Sequence, residues 1–132
     1  MEIELERIAR AFGIRLAVQF GPSVTGHVHP GSDVDVAVLL EQPDLTLDAR
    51  ARLLHELQTL FPEREVDLAI LNRADPLFLK KIMDDCRLLY GTPAALRRLQ
   101  LYAFKRYQDH RKYFDLERRF VADALAGQPP RG

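Results

Sequence analysis

The stretch that most constrains this chain is Val34–Leu40, VDVAVLL. Beyond Asp35 it is entirely apolar, and it is too short for a membrane span or a core helix. A strand with both faces apolar belongs in the middle of a sheet, covered on each side. It opens with two acids, Asp33 and Asp35, one residue apart. In an extended chain, positions i and i+2 point to the same side. Two carboxylates held together repel each other, and ionising both is costly without a cation nearby. They are either well solvated or part of a metal site.

The flanking segments supply the cover. Glu2–Phe12 places Ile8, Ala9 and Phe12 at helical spacing, with Gly13 as its stop. Arg15–Phe20 is short and apolar between glycines, which predicts a strand. The loop 21–32 holds three glycines, two prolines and two histidines. Leu47–Phe61 is predicted as an amphipathic helix, with Asp44 or Thr46 as cap and Leu47, Ala51, Leu54, Leu57 and Leu60 on the sheet-facing side. Glu65–Leu71 is predicted as a third strand, Ala74–Cys86 as a helix opened by Asp75-Pro76, and Arg87–Tyr90 as a short edge strand. Cys86 is expected as a small core residue at a helix end.

Thr92-Pro93 opens a long helix predicted to reach about Ala126. Leu96, Leu99, Ala103, Tyr107 and Phe114 form one apolar stripe; Tyr113, Leu116, Phe120 and Ala124 form a second, rotated one. A helix of roughly 30 residues is about 45 Å long. A domain of this size is only about 29 Å across by radius-of-gyration scaling. Part of the helix therefore bends over the body or projects from it. The expected organisation is an α/β core over 1–91, a helix over 92–126 and a disordered tail over 127–132.

Composition excludes several classes. The chain has 132 residues, 47% apolar and 29% charged, which suits one compact domain. No apolar run approaches the roughly 20 residues that span a bilayer, and the charged N-terminus lacks the pattern of a signal peptide. A cytoplasmic location without membrane contact is the expectation. One cysteine forms no internal disulfide and no thiolate metal cluster. A formal net charge of zero argues against direct nucleic-acid binding. The charge is nevertheless uneven: residues 94–132 carry nine Lys/Arg and four Asp/Glu, a surplus of +5. That basic segment is either a solvated helix or a partner-binding one.

Asp67 lies early in the third predicted strand, so neighbouring strands could bring it beside Asp35. Three carboxylates on adjacent strands make a hard oxygen site suited to Mg²⁺ or Mn²⁺. Such a site can hold two cations that bridge a triphosphate and neutralise a departing pyrophosphate. Gly21 and Gly26 allow close backbone approach to phosphates, and a helix starting after Gly21 would aim N–H groups at them. A D-x-D pair by itself is common, and solvated strand-start aspartates are the alternative.

The pattern F-G-x-x-x-x-G, five spacer residues, S-D-V-D-V-A-V, then E-V-D-L about thirty residues later resembles the minimal nucleotidyltransferases of the DNA polymerase β-like superfamily. The likeness runs from about Leu16 to Leu71. It implies a small nucleotidyltransferase fold, a mixed sheet flanked by helices with a long C-terminal helix. It also implies an antitoxin of the MntA type, paired with a neighbour-encoded HEPN-domain ribonuclease toxin. The implied activity is transfer of AMP from ATP to a tyrosine of that toxin. Asp33 and Asp35 would hold two Mg²⁺ ions, and Asp67 would bind metal or activate the nucleophile. Gly21, Ser23 and Ser32 are the implied nucleotide-binding positions. One position departs from the pattern: the family has Gly-Ser at the turn, and this chain has Gly21-Pro22 with Ser23 one place later. Pro22 supplies neither hydroxyl nor N–H. Two alternatives follow. One is a catalytically impaired member that neutralises the toxin by binding, and the other is a small-molecule nucleotidyltransferase, which the short chain disfavours. Homo- and hetero-oligomers are both open.

Other residues carry less. His27 and His29 lie in the loop before the aspartates, either solvated or near nucleotide, and Thr25 is a candidate phosphate contact. Ser32 also fits a turn serine that bonds the local backbone. Arg106 and His110 resemble the Arg…His signature of HEPN ribonucleases, but three intervening residues are fewer than that family's four to six. No ribonuclease site is expected there. Tyr102, Tyr107, Tyr113 and Phe114 among basic residues instead suggest a contact surface.

Overall fold

The computed structural model describes residues 1–25 and 33–127. Four strands form one sheet in the order β3-β2-β1-β4: β1 Ile14–Phe20, β2 Val34–Leu40, β3 Val66–Ile70 and β4 Cys86–Tyr90. β1 runs antiparallel to both β2 and β4, while β2 and β3 are parallel. The parallel pair requires a crossover, and α3 (Leu47–Gln58) provides it. The remaining helices are α1 (Glu2–Phe12), the single turn α2 (Pro22–Thr25), α4 (Pro76–Asp84) and α5 (Pro93–Leu125), with a 3₁₀ turn at Leu71–Arg73. This is the mixed, helix-flanked sheet with a long C-terminal helix that the sequence implied.

Both faces of the sheet are covered, as the apolar β2 requires. On one, Val34, Val36, Val38 and Leu40 meet Leu5, Ile8 and Ala9 of α1 and Leu53 and Leu57 of α3. On the other, Leu16, Val18 and Ala37 meet Leu79, Ile82 and Met83 of α4 and Ala103 of α5. α1 ends at Gly13 in the left-handed region, φ 67°, which a side chain disfavours. Thr46, Asp75 and Thr92 cap α3, α4 and α5, each accepting a bond from a backbone N–H in the first turn. Asn72 continues the sheet beyond β3, donating to the Leu40 carbonyl at 2.8 Å and accepting from its N–H at 2.9 Å.

Two expectations need correction. The inward face of α3 is Leu53 and Leu57, with Leu60 partly buried, whereas Leu47 is 86% exposed and Ala51 and Leu54 face solvent. Leu53 and Leu54 are adjacent, so two helical rows offered leucines, and the row that continues through Leu57 to Leu60 is the one buried. Cys86 opens β4 instead of closing α4, because Asp85 leaves helical geometry (φ −137°). It is half-buried among the α4-side residues.

The 33 residues of α5 span about 50 Å. The proximal part of its first stripe packs on the body: Ala103 is buried, Leu96 and Leu99 are half-buried beside it, and Tyr107 lies under Lys80 of α4; Phe114, further along, is half-buried against His110 of the same helix. The second stripe is solvent-facing, with Tyr113, Leu116 and Phe120 all more than half exposed. No described residue after Ala103 in this helix is fully buried, so its distal part extends past the core. Among the described residues no helix is long and apolar enough to cross a membrane.

Candidate active site

The parallel register of β2 and β3 sets Asp35 opposite Asp67, directly after the buried pair Val34–Val66. Strand alternation turns the valines to the α1–α3 side and both aspartates to the α4–α5 side. Asp33 shares that parity at the mouth of β2. The sheet edge lies beyond the helical cover there, so Asp33 and Asp67 are exposed and Asp35 is half-buried.

Gly21 closes the site from β1. Phe20 is the cross-strand partner of Asp35, and Gly21 follows with φ +80°. A Cβ at Gly21 would stand 2.3 Å from Asp35 Oδ2. The carboxylate occupies the volume that any larger residue would fill, so glycine is required twice, for conformation and for space. The turn continues into α2, where the Val24 N–H donates to the Gly21 carbonyl at 3.0 Å. Pro22 takes the first position of that turn.

Burial pushes the Asp35 carboxyl above its ordinary proton affinity, and the charges of Asp67 and then Asp33 push it further. Among the described residues no three acidic, histidine or cysteine side chains form a ready metal cage. Mg²⁺ does not need one: it commonly binds through one or two carboxylates, completed by water and substrate phosphate. Hard oxygen donors fit that ion, which would relieve the charge cost at Asp35.

The connection from α3 to β3 fixes where Asp67 stands. The Gln58 side chain donates to the Phe61 carbonyl at 2.9 Å and to the Arg64 carbonyl, and its Oε1 accepts from the Val66 N–H at 3.0 Å. One amide thus pins the turn and the residue before Asp67. The Val34 N–H donates to the Glu65 carbonyl at 2.8 Å, and Arg64 reaches the Asp33 carbonyl at 3.4 Å. Neither Gln58 nor Asn72 carried a pattern in the sequence, because a single polar residue at a helix or strand end looks like any solvated one.

The other singled-out residues distribute as follows. Ser32, His27 and His29 lie outside the described residues, as do the side chains of Ser23 and Thr25 and the tail 128–132. Arg106 lies over the Tyr102 ring at 5.9 Å, while His110 packs on Phe114 at 5.6 Å between ring centroids. The two have separate aromatic partners and build no common site. An open cleft of about 560 Å³ sits at the far ends of β1, β2 and β4, lined by Arg15, Glu41, Tyr90, Arg98 and Tyr102. It is remote from the carboxylates, which lie at the opposite end of the same strands.

Known proteins share this architecture. A chain of a toxin–antitoxin crystal structure with AMP-PNP aligns with a TM-score of 0.72 and 24% identity, over 95% of this chain and 98% of that one. A mutant of the MntA–HpeT toxin–antitoxin aligns with a TM-score of 0.71 and 23% identity, over 96% and 98%. A chain from the complex of a tri-AMPylated Shewanella oneidensis HEPN toxin with its MNT antitoxin aligns at 0.66 and 22%, over 95% of each. At these identities the likeness is one of fold. No curated protein matches the sequence. The polymerase beta nucleotidyltransferase model matches residues 4–94, more than half of the chain, and the chain belongs to that family.

Proposed function

We propose that this protein is a Mg²⁺-dependent nucleotidyltransferase that acts as the antitoxin of a toxin–antitoxin pair, transferring AMP from ATP to a tyrosine of a HEPN-type toxin. The observation that carries this reading is the register pairing of Asp35 with Asp67, with Gly21 closed against Asp35. Among the similar structures, one with AMP-PNP and one with an AMPylated HEPN toxin support the choice of substrate and partner.

In this reading Asp33 and Asp35 hold two Mg²⁺ ions, with Asp67 as third carboxylate. The metal, when bound, screens the triphosphate and the developing charge on the leaving pyrophosphate. The tyrosine oxygen attacks the α-phosphorus of ATP, the α–β anhydride bond breaks, and pyrophosphate departs. Asp67, the more exposed member of the Asp35–Asp67 pair, accepts the phenolic proton. Gly21 lets the backbone approach the phosphates, and Ser23 and Ser32 are assigned as further nucleotide contacts.

A second reading is an impaired enzyme that inhibits its partner by contact. Pro22 in place of the family serine favours it, as does the exposed apolar row on distal α5. One experiment separates the two. The protein is incubated with ATP, Mg²⁺ and the protein encoded beside it, and the intact mass of that partner is measured. AMP addition that disappears with Asp35→Asn is the expected result. A partner that is inhibited but unmodified would overturn the enzymatic reading in favour of binding.

A further inference from the structure

The carboxylates do not stand alone on their face of the sheet. Phe20, directly across from Asp35 in the antiparallel register, shares its side of the sheet and packs among the α4-side residues. The Phe20 ring meets Phe78 of α4 edge-on, with centroids 6.1 Å apart and planes at 81°. Phe78 is 41% exposed and its neighbour Leu77 is 51% exposed. Both sit in the first turn of a helix whose other apolar residues, Leu79, Ile82 and Met83, are buried. Phe78 therefore exposes part of a large apolar ring beside Phe20, at the end of the sheet that carries Asp33, Asp35 and Asp67.

From this we propose that Phe78, propped by Phe20, is the stacking wall for the nucleobase of the substrate nucleotide. The proposal rests on the nucleotidyltransferase reading above and adds the residue that holds the base. Phosphates drawn to the Gly21–Asp35 corner leave the base to one side, and Phe20 leads from that corner to the Phe78 ring. An edge-to-face pair fixes the Phe78 ring in orientation while leaving much of its surface open. An aromatic face accepts any base by stacking. The wall favours nucleotides with large bases without hydrogen-bonding a particular edge.

The test compares two probes with the full-length protein and Mg²⁺. ATP carries a base, and inorganic tripolyphosphate carries the triphosphate chain without one. Calorimetric Kd values are taken for the wild type, Phe78→Ala and Phe78→Trp. Phe78→Ala is expected to weaken ATP about 10-fold, equivalent to about 1.4 kcal/mol, while tripolyphosphate binding is unchanged; Phe78→Trp restores ATP. Equal weakening of both probes, or no weakening of either, overturns the proposal. So does an unchanged ATP Kd together with a raised KM for the protein partner, which would assign Phe78 to the acceptor side. A wild type that binds tripolyphosphate and ATP equally removes the wall but leaves the transferase reading standing. A wild type that binds neither removes both.

Discussion

Gly21→Ala separates backbone strain from the geometry of the site. At φ +80° a non-glycine residue costs about 1–2 kcal/mol. For 132 residues the unfolding entropy is roughly 0.28 kcal/mol per degree, so strain alone lowers Tm by about 4–7 °C. The second effect is steric. The new methyl would lie 2.3 Å from Asp35 Oδ2, and the carboxylate must swing away, because the neighbouring atoms of β1 and β2 are held in the ladder. A displacement of about 1 Å in a positioning group can cost about 100-fold in rate. Gly13→Ala is the matched control: φ is +67°, but its Cβ would meet only Glu41, at 3.9 Å. Thermal melts and AMP transfer are measured for both. Both variants should lose several degrees, and only Gly21→Ala should lose transfer, by about 100-fold or more. Equal activity in the two would refute the claim that Gly21 exists to seat Asp35.

Asp35→Asn tests the electrostatics. The folded-state affinity of Asp35 for its proton is raised. Its contribution to stability is therefore full below the ordinary carboxylate range and is lost as pH rises through the raised folded value. At neutral pH without divalent cation the variant should melt higher than the wild type, the gap closing in acid, and Mg²⁺ should raise the Tm of the wild type alone. A variant that melts lower in chelator at neutral pH would refute this. Gln58→Ala removes the bonds that pin the approach to Asp67 and leaves a part-buried Val66 N–H unpaired, at a cost of about 1–3 kcal/mol. The Mg²⁺ concentration for half-maximal transfer should rise with it, whereas an unchanged Mg²⁺ dependence alongside a lowered Tm would make Gln58 purely structural. Pro22→Ser supplies the hydroxyl and N–H that the turn lacks and should raise kcat by about 10-fold or more, within the range of one oriented donor; an unchanged kcat would show that this chain does not use a donor at position 22.

The architecture was legible where one local rule decided it. The apolar run of β2 demanded cover on both faces and received it. Asp75 and Thr92 announced their helices and Gly13 its stop, while α3 had two candidate caps, Asp44 and Thr46, of which Thr46 is the one used. The α3 face was not legible, because Leu53 and Leu54 satisfy two helical rows and only tertiary packing chooses between them. The carboxylate pair was legible in kind, since Asp67 falls early in a strand, but the sequence could not show that Asp35 and Asp67 share one register position. That depends on how the α3–β3 connection is held, which Gln58 does through three bonds that no periodicity encodes. Phe78 was unreadable for the same reason: an apolar residue in a helix reads as core until its neighbours are known.

Pro22 looks different once the turn is seen. In the sequence it is a loss, a residue with no hydroxyl and no N–H where the family has serine. In the fold it is the first residue of α2, and a helix does not use the N–H of its first residue. Its fixed φ suits that position, so the turn that brings Gly21 to Asp35 does not need serine to form. The substitution removes a possible donor without disturbing the contact that defines the corner. Geometry and donor count are therefore separable here: Gly21→Ala perturbs the first and Pro22→Ser the second. An enzyme limited by missing donors should respond to Pro22→Ser, whereas a protein that works only by binding should respond to neither in its inhibition of the partner.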